Sequence, residues 1–143
     1  MFGLIGSMGL LIISSVFDIK WKKVPLIIFI SGGALAVLWI CIRIYTQGVG
    51  ETLLESAAAV LPGAGLIALS FVTDKKIGYG DGILLIILGI LQGLEKIILV
   101  FCIGLFLQSL LAVVLLILKK ADKQTCIPFI PFLLSAQILL LII

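Results

Sequence analysis

Six long apolar runs leave this chain few ways to fold. They lie at about Phe2–Phe17, Pro25–Ile44, Thr52–Phe71, Ile77–Leu94, Ile97–Leu118 and Ile127–Ile143, separated by charged and turn-forming clusters. Most supply the roughly 17 to 25 residues with which a helix crosses a bilayer. Charged residues make up 12% of the chain against 63% hydrophobic ones, and the mean hydropathy of +1.43 lies far outside the soluble globular range. In lipid every peptide group must find its partner inside the protein, which admits helices or closed barrels. These runs are rich in Leu and Ile and do not alternate in polarity, which argues against a barrel. The expectation is all-α: a polytopic membrane protein in which residues 1–143 form one bundle of six transmembrane helices.

The first run has no basic segment before it and no convincing small-residue cleavage site after it, so it reads as a retained span rather than a secretory signal. Gly32 with Gly33, the segment Pro62-Gly63-Ala64-Gly65, and Gly104 offer small surfaces on which neighbouring helices approach closely. Orientation follows the positive charges, which collect in short cytoplasmic loops. Of ten basic residues, eight fall in three alternate connections: Lys20, Lys22 and Lys23; Lys75 and Lys76; Lys119, Lys120 and Lys123. Only Arg43 and Lys96 fall on the other side. Both termini are therefore expected outside a cytoplasmic membrane, with the basic connections in the cytoplasm. Lysines spread over three short loops beside spans fit anchoring to the lipid bilayer and argue against a nucleic-acid partner.

The chain has no histidine, and its cysteines Cys41, Cys102 and Cys126 form no C-x-x-C pair. A zinc or disulfide framework is not expected, and histidine-dependent catalysis is excluded within the chain. Acid and base chemistry is left to carboxylates, lysines and tyrosines. Glu51 and Glu55 suit the first turns of the third span, Glu95 beside Lys96 marks an outer turn, and Asp122 stands among lysines. Asp74 beside Lys75 reads as surface and is a reserve candidate. Trp21 and Trp39 read as interfacial anchors.

Asp18 and Asp81 differ from these. Asp18 closes the first run and Asp81 opens the fourth, so both stand at the same membrane face, where ionisable groups more often serve function than anchor a helix end. Two carboxyls a few ångströms apart in a poorly solvated site do not both ionise cheaply, and the pair then holds a general acid beside a general base. The charged member can take a proton from water as it attacks an amide carbonyl. The protonated member can hydrogen-bond to the carbonyl oxygen, with no metal or cofactor required. Asp81 lies in "GYGDG", Gly78 to Gly82. Glycines there permit close approach of a substrate backbone and dihedrals denied to other residues, although the same letters also suit a plain turn.

Three stretches carry a resemblance. "GYGD" at Gly78, Tyr79, Gly80 and Asp81 resembles the G-x-G-D signature of the type IV prepilin peptidase family. "DIKWKKVP" from Asp18 to Pro25 is similar to its first motif, and "IPFIPFL", with Pro128 and Pro131, to the motif that opens its last helix. The resemblance implies a membrane aspartic endopeptidase that removes the basic leader from prepilins or pilin-like pseudopilins at the cytoplasmic face. In it Asp18 and Asp81 take the catalytic places, with Gly78, Tyr79, Gly80, Pro25, Pro128 and Pro131 as supporting motif residues. Where the family often has Asn after the first-motif proline and Lys two residues after the second aspartate, this chain has Leu26 and Ile83. The amino-terminal four-cysteine region that longer members use for methylation is not expected here. "FD" at Phe17 and Asp18 also echoes the presenilin-like peptidases, but the spacing from Asp18 to Pro25 and the small size favour the prepilin group. The alternative of another class is a small proton- or cation-coupled transporter with Asp18 and Asp81 as relay sites.

Overall fold

The computed structural model describes residues 2–21, 24–73, 78–118 and 128–142. Among them are six helices and no strand: α1 (Phe2–Trp21), α2 (Leu26–Gln47), α3 (Val49–Val72), α4 (Tyr79–Gln92), α5 (Leu94–Ile117) and α6 (Ile130–Ile142). Lys22, Lys23, Asp74, Lys75, Lys76, Lys119, Lys120, Asp122, Lys123 and Cys126 lie outside the described residues. Most of the lysines on which the expected orientation rests are therefore among them.

Helices α1, α2, α3 and α5 are long and apolar enough to cross a membrane. The 14 residues of α4 and 13 of α6 reach only about 20 Å at 1.5 Å per residue, short of a hydrocarbon core of about 30 Å. The expectation of six transmembrane helices thus narrows to four long apolar helices and two short ones. The reason for α4 is visible in its surroundings. It packs against α1, α2, α3 and α5, and seven of its residues are buried, so protein rather than lipid satisfies its apolar surface.

Two boundaries differ from the sequence reading, and both turn on glycine. Gly48 (φ 93°) separates α2 from α3, and Gly93 (φ 88°) separates α4 from α5, each in the left-handed region that an L side chain resists. A one-residue break at Gly93 starts α5 at Leu94, so Glu95 and Lys96 belong to the first turn of α5 rather than to a turn of their own.

Two apolar clusters hold the bundle. Leu11, Leu84, Leu85, Leu88, Ile97 and Leu133 centre one between α1, α4, α5 and α6. Leu10, Ile28, Ala36, Ile87 and Leu91 form the other between α1, α2 and α4. Of the glycines expected to let helices touch, three do so. Gly32 meets Ile87 and Leu10, Gly63 meets Gly82 and Ile86, and Gly104 meets Leu133, whereas Gly33 and Gly65 face open space. Trp39 packs against the second cluster, while Trp21 is exposed and stacks on Phe17 with centroids 5.1 Å apart.

Helix α1 turns its polar residues inward. Ser7, Ser14, Ser15 and Asp18 are buried, while Ile5, Ile12, Ile13, Val16 and Ile19 are exposed. The buried positions Gly3, Ser7, Leu11, Ser14 and Asp18 recur at three- and four-residue steps, one stripe of a helix whose other faces suit lipid.

Candidate active site

Helices α1 and α4 are antiparallel neighbours. Gly3 at the start of α1 is packed against the carbonyl of Leu91 near the end of α4, leaving no room for a side chain. Asp18, 15 residues further along α1, and Asp81, in the first turn of α4, are consequently carried to the other end of the bundle. Both carboxyls therefore stand at that one end.

Asp18 is 8% exposed. One of its oxygens, Oδ2, accepts a hydrogen bond from the backbone N–H of Ile130 at 3.4 Å. Ile130 is the first residue of α6, where backbone donors lack partners within their own helix and where a carboxylate is favoured by the helix dipole. Asp18 on α1 thus caps α6. The sequence around Ile130 prepares that contact. Pro131 carries no N–H, which suits the first turn of a helix. Phe129 is buried, with its ring edge-on to Phe101 at 6.2 Å, which ties the start of α6 to α5. Pro128 and Pro131 both flank the residue that meets Asp18.

Asp81 is partly buried, and its backbone N–H donates to the carbonyl of Gly78 at 3.1 Å. Its side chain folds back over Gly78, where an added Cβ would lie 3.3 Å from Oδ2. A Cβ on Gly80 would lie 3.1 Å from the Phe29 ring of α2, and one on Gly82 would lie 2.5 Å from Ile67 of α3. These measurements correct one expectation. Gly78 has φ −67°, and the left-handed glycines among the described residues are Gly48 and Gly93, so the glycines around Asp81 supply no unusual dihedral. Their lack of side chains is used by the Asp81 carboxyl and by α2 and α3. Tyr79 packs edge-on against Phe71 of α3, centroids 5.3 Å apart. Pro25 stands at the same end in extended conformation (φ −65°, ψ 145°), and its carbonyl accepts the N–H of Ile28 as α2 begins.

Depth follows from the packing of α4 on α3. Gly82 lies against Gly63 and Ile67, while α3 continues to Val72, so Asp81 is recessed by about one turn from the end of its neighbour. Asp18 likewise precedes the end of α1 by three residues. Both carboxyls therefore sit just inside the rim of the bundle. The side chain of Lys20, the nearest described cation in sequence to Asp18, lies 5.2 Å from the centre of the Trp21 ring.

Sequence reasoning missed two features of this neighbourhood. One is the inward polar face of α1, above all Ser14, which is fully buried one turn before Asp18. The signal was present as serines at 7 and 14 with the aspartate four residues later, on a period that places all three on one helix face. The other is the ion pair of Arg43 with Glu55 at the far end of the bundle, 2.6 Å between Nη2 and Oε2.

Four long apolar helices and two short ones define a helical membrane protein, and two recessed carboxyls stand at one end of it. Residues 5–117 match the type IV leader peptidase family, and the chain belongs to that family of peptidases. The match runs from the first turns of α1 to the end of α5 and includes Asp18 and Asp81, while Pro128 and Pro131 lie beyond it. Searches of curated proteins and of solved structures gave no match.

Proposed function

We propose that this protein is an aspartic endopeptidase in which Asp18 and Asp81 act together to cut the basic leader from prepilins or pilin-like pseudopilins. Hydrolysis of an amide needs a base to take a proton from water as its oxygen bonds to the carbonyl carbon. It also needs an acid to hydrogen-bond to the carbonyl oxygen and, later, a proton for the departing amine. Two carboxyls sharing one proton supply all three without a metal or cofactor. The observation that supports this reading is that Asp18 and Asp81, on two otherwise apolar antiparallel helices, stand at the same end of the bundle.

The distribution of lysines supports placing that end at the cytoplasmic face of a cell membrane, with both chain termini outside. A substrate of this class has its leader in the cytoplasm and its apolar helix in the lipid. Its scissile bond would then lie at the rim where the carboxyls are recessed. Gly78, Tyr79, Gly80 and Pro25 shape that rim, as do Pro128 and Pro131 at the start of α6.

The test is coexpression with a pilin-like precursor carrying a basic leader, a glycine and an apolar helix, with precursor size followed on gels. The intact chain should shorten the precursor, and Asp18→Asn and Asp81→Asn should each leave it whole. Cleavage undiminished in either variant would refute the pairing.

A further inference from the structure

The hydroxyl of Ser14 is inaccessible and has no hydrogen-bond partner among the described residues. Other serines of the bundle show what it forgoes. Ser7, Ser31, Ser109 and Ser135 each donate to the carbonyl three residues back, at 2.8 to 3.0 Å. That bond within one helix is the usual resolution for serine in lipid. Ser14 does not take it. An unpaired buried hydroxyl weakens a fold relative to alanine, which is nearly the same size and needs no partner. A serine at such a place, where alanine would serve the fold as well, leaves a donor free for a partner that arrives with function.

One turn further along the same face stands a side-chain acceptor, Asp18. Residues four apart on a helix hold their Cβ atoms about 5 to 6 Å apart, a gap that one water or a rotamer change closes. Ser15, also buried, stands on the adjoining position of the same turn. The carboxyl of Asp18 has capacity to spare, because Oδ2 accepts from Ile130 at 3.4 Å and a carboxylate offers about four acceptor sites over its two oxygens. Ser14 and Ile130 would then hold the carboxyl from α1 and from α6, leaving its open side toward Asp81.

We infer that Ser14 is a positioning residue for Asp18: its hydroxyl, directly or through one water, fixes the orientation in which Asp18 meets Asp81 and the scissile amide. The inference rests on the peptidase reading above. It assigns Ser14 no contact with substrate, so its removal acts on turnover rather than on binding.

The experiment uses the full chain, purified and reconstituted in lipid, and the same precursor as substrate. It measures kcat, KM and melting temperature for wild type, Asp18→Asn, Ser14→Ala, Ser14→Thr, Ser14→Cys and Ser7→Ala. Ser14→Ala is expected to melt at or above the wild-type temperature, keep KM within about twofold, and lose about tenfold or more in kcat, the loss of one hydrogen bond to a charged group. Ser14→Thr, which keeps the hydroxyl, should regain most of that turnover. Ser14→Cys, close to serine in size but a weaker donor, should fall between and serves if threonine does not fit. Ser7→Ala should match wild type, since its hydroxyl is satisfied within its own helix about 10 Å away along α1. Wild-type kcat in Ser14→Ala, or parallel losses of melting temperature and kcat, would overturn the inference while leaving the peptidase reading intact. Full activity in Asp18→Asn would overturn both.

Discussion

At the far end of the bundle Arg43 reaches from α2 to Glu55 of α3 at 2.6 Å, while its Nε donates to Gln47 at 3.1 Å. At the other end stand two acidic groups, Asp18 and Asp81, and no ion pair to either exists among the described residues. The first arrangement lowers the cost of carrying charge near lipid. The second raises it, because like charges in a poorly solvated place repel with less screening than in water. Under the proposed function, the end that gathers like groups is the end where the chemistry takes place. At the far end the chain turns at the single residues Gly48 and Gly93, while at the aspartate end Gly78 leaves room for the Asp81 carboxyl and Gly80 and Gly82 leave room for Phe29 and Ile67.

The contrast breaks most sharply at the carboxyls. Asp18→Asn and Asp81→Asn preserve shape but remove acid and base function, and each should lower precursor cleavage by about 10²- to 10⁴-fold. Asn keeps an oxygen that can accept from the N–H of Ile130 and removes an acid whose charged form is costly at a recessed site, so neither variant should lower the melting temperature, as thermal unfolding in detergent would show. A loss of stability equal to the loss of activity would mean that these carboxyls serve the fold alone.

The next effect tests whether α4 must be held where it is. A Cβ at Gly63 would fall 2.7 Å from the carbonyl oxygen of Gly82 and 2.8 Å from the backbone nitrogen of Ile86, atoms that cannot step aside. Gly63→Ala should therefore cost about 1–3 kcal/mol and displace the segment of α4 that carries Asp81. Gly65→Ala, where the same atom meets nothing, should stay within about 0.5 kcal/mol of wild type. Chemical denaturation of both variants, with cleavage measured beside it, reads the difference.

How much of this was legible depended on the range of the signal. Helical class and the main runs follow from local composition, and the structure agrees with them over α1, α2, α3 and α5. The motif letters likewise led to Asp18 and Asp81, and the family match covers both. The roles of the glycines were not legible, because a G-x-G-D string reads alike whether its small residues admit a substrate or a neighbouring helix. Only the approach of Phe29 and Ile67 decides that, and both lie far away in sequence. The shortness of α4 was hidden for a similar reason: an apolar run shows that a segment avoids water but not whether lipid or protein covers it. Ser14 could have been read from its four-residue step to Asp18. A lone serine in an apolar run usually bonds its own helix, however, and only the missing bond marks this one as different.

The smallest expected effect lies at the far end and decides whether the contrast is real. The side chains of Arg43 and Glu55 are 17% and 46% exposed, and pairs so open to solvent contribute about 0.2–1 kcal/mol. Glu55 also lies across the α4–α5 turn, its Oε1 3.3 Å from the place a Cβ would take on Gly93, so the pair links α2 and α3 to that turn. A double-mutant cycle with Arg43→Met and Glu55→Gln isolates the coupling from other losses at each residue. The coupling should fall within that range and shrink as salt is raised, since the screening length drops from about 10 Å at 0.1 M to about 3 Å at 1 M. Cleavage should be unchanged in all three variants. Gln92, which lines the same cleft as Arg43 and Glu55, is eleven residues from Asp81 along α4, about 16 Å, and α4 is braced between by Leu84, Leu85 and Leu88. A fall in turnover without a matching fall in stability would mean that the paired charges at one end set the geometry of the like charges at the other. The two ends would then be one electrostatic system rather than an anchor and a site.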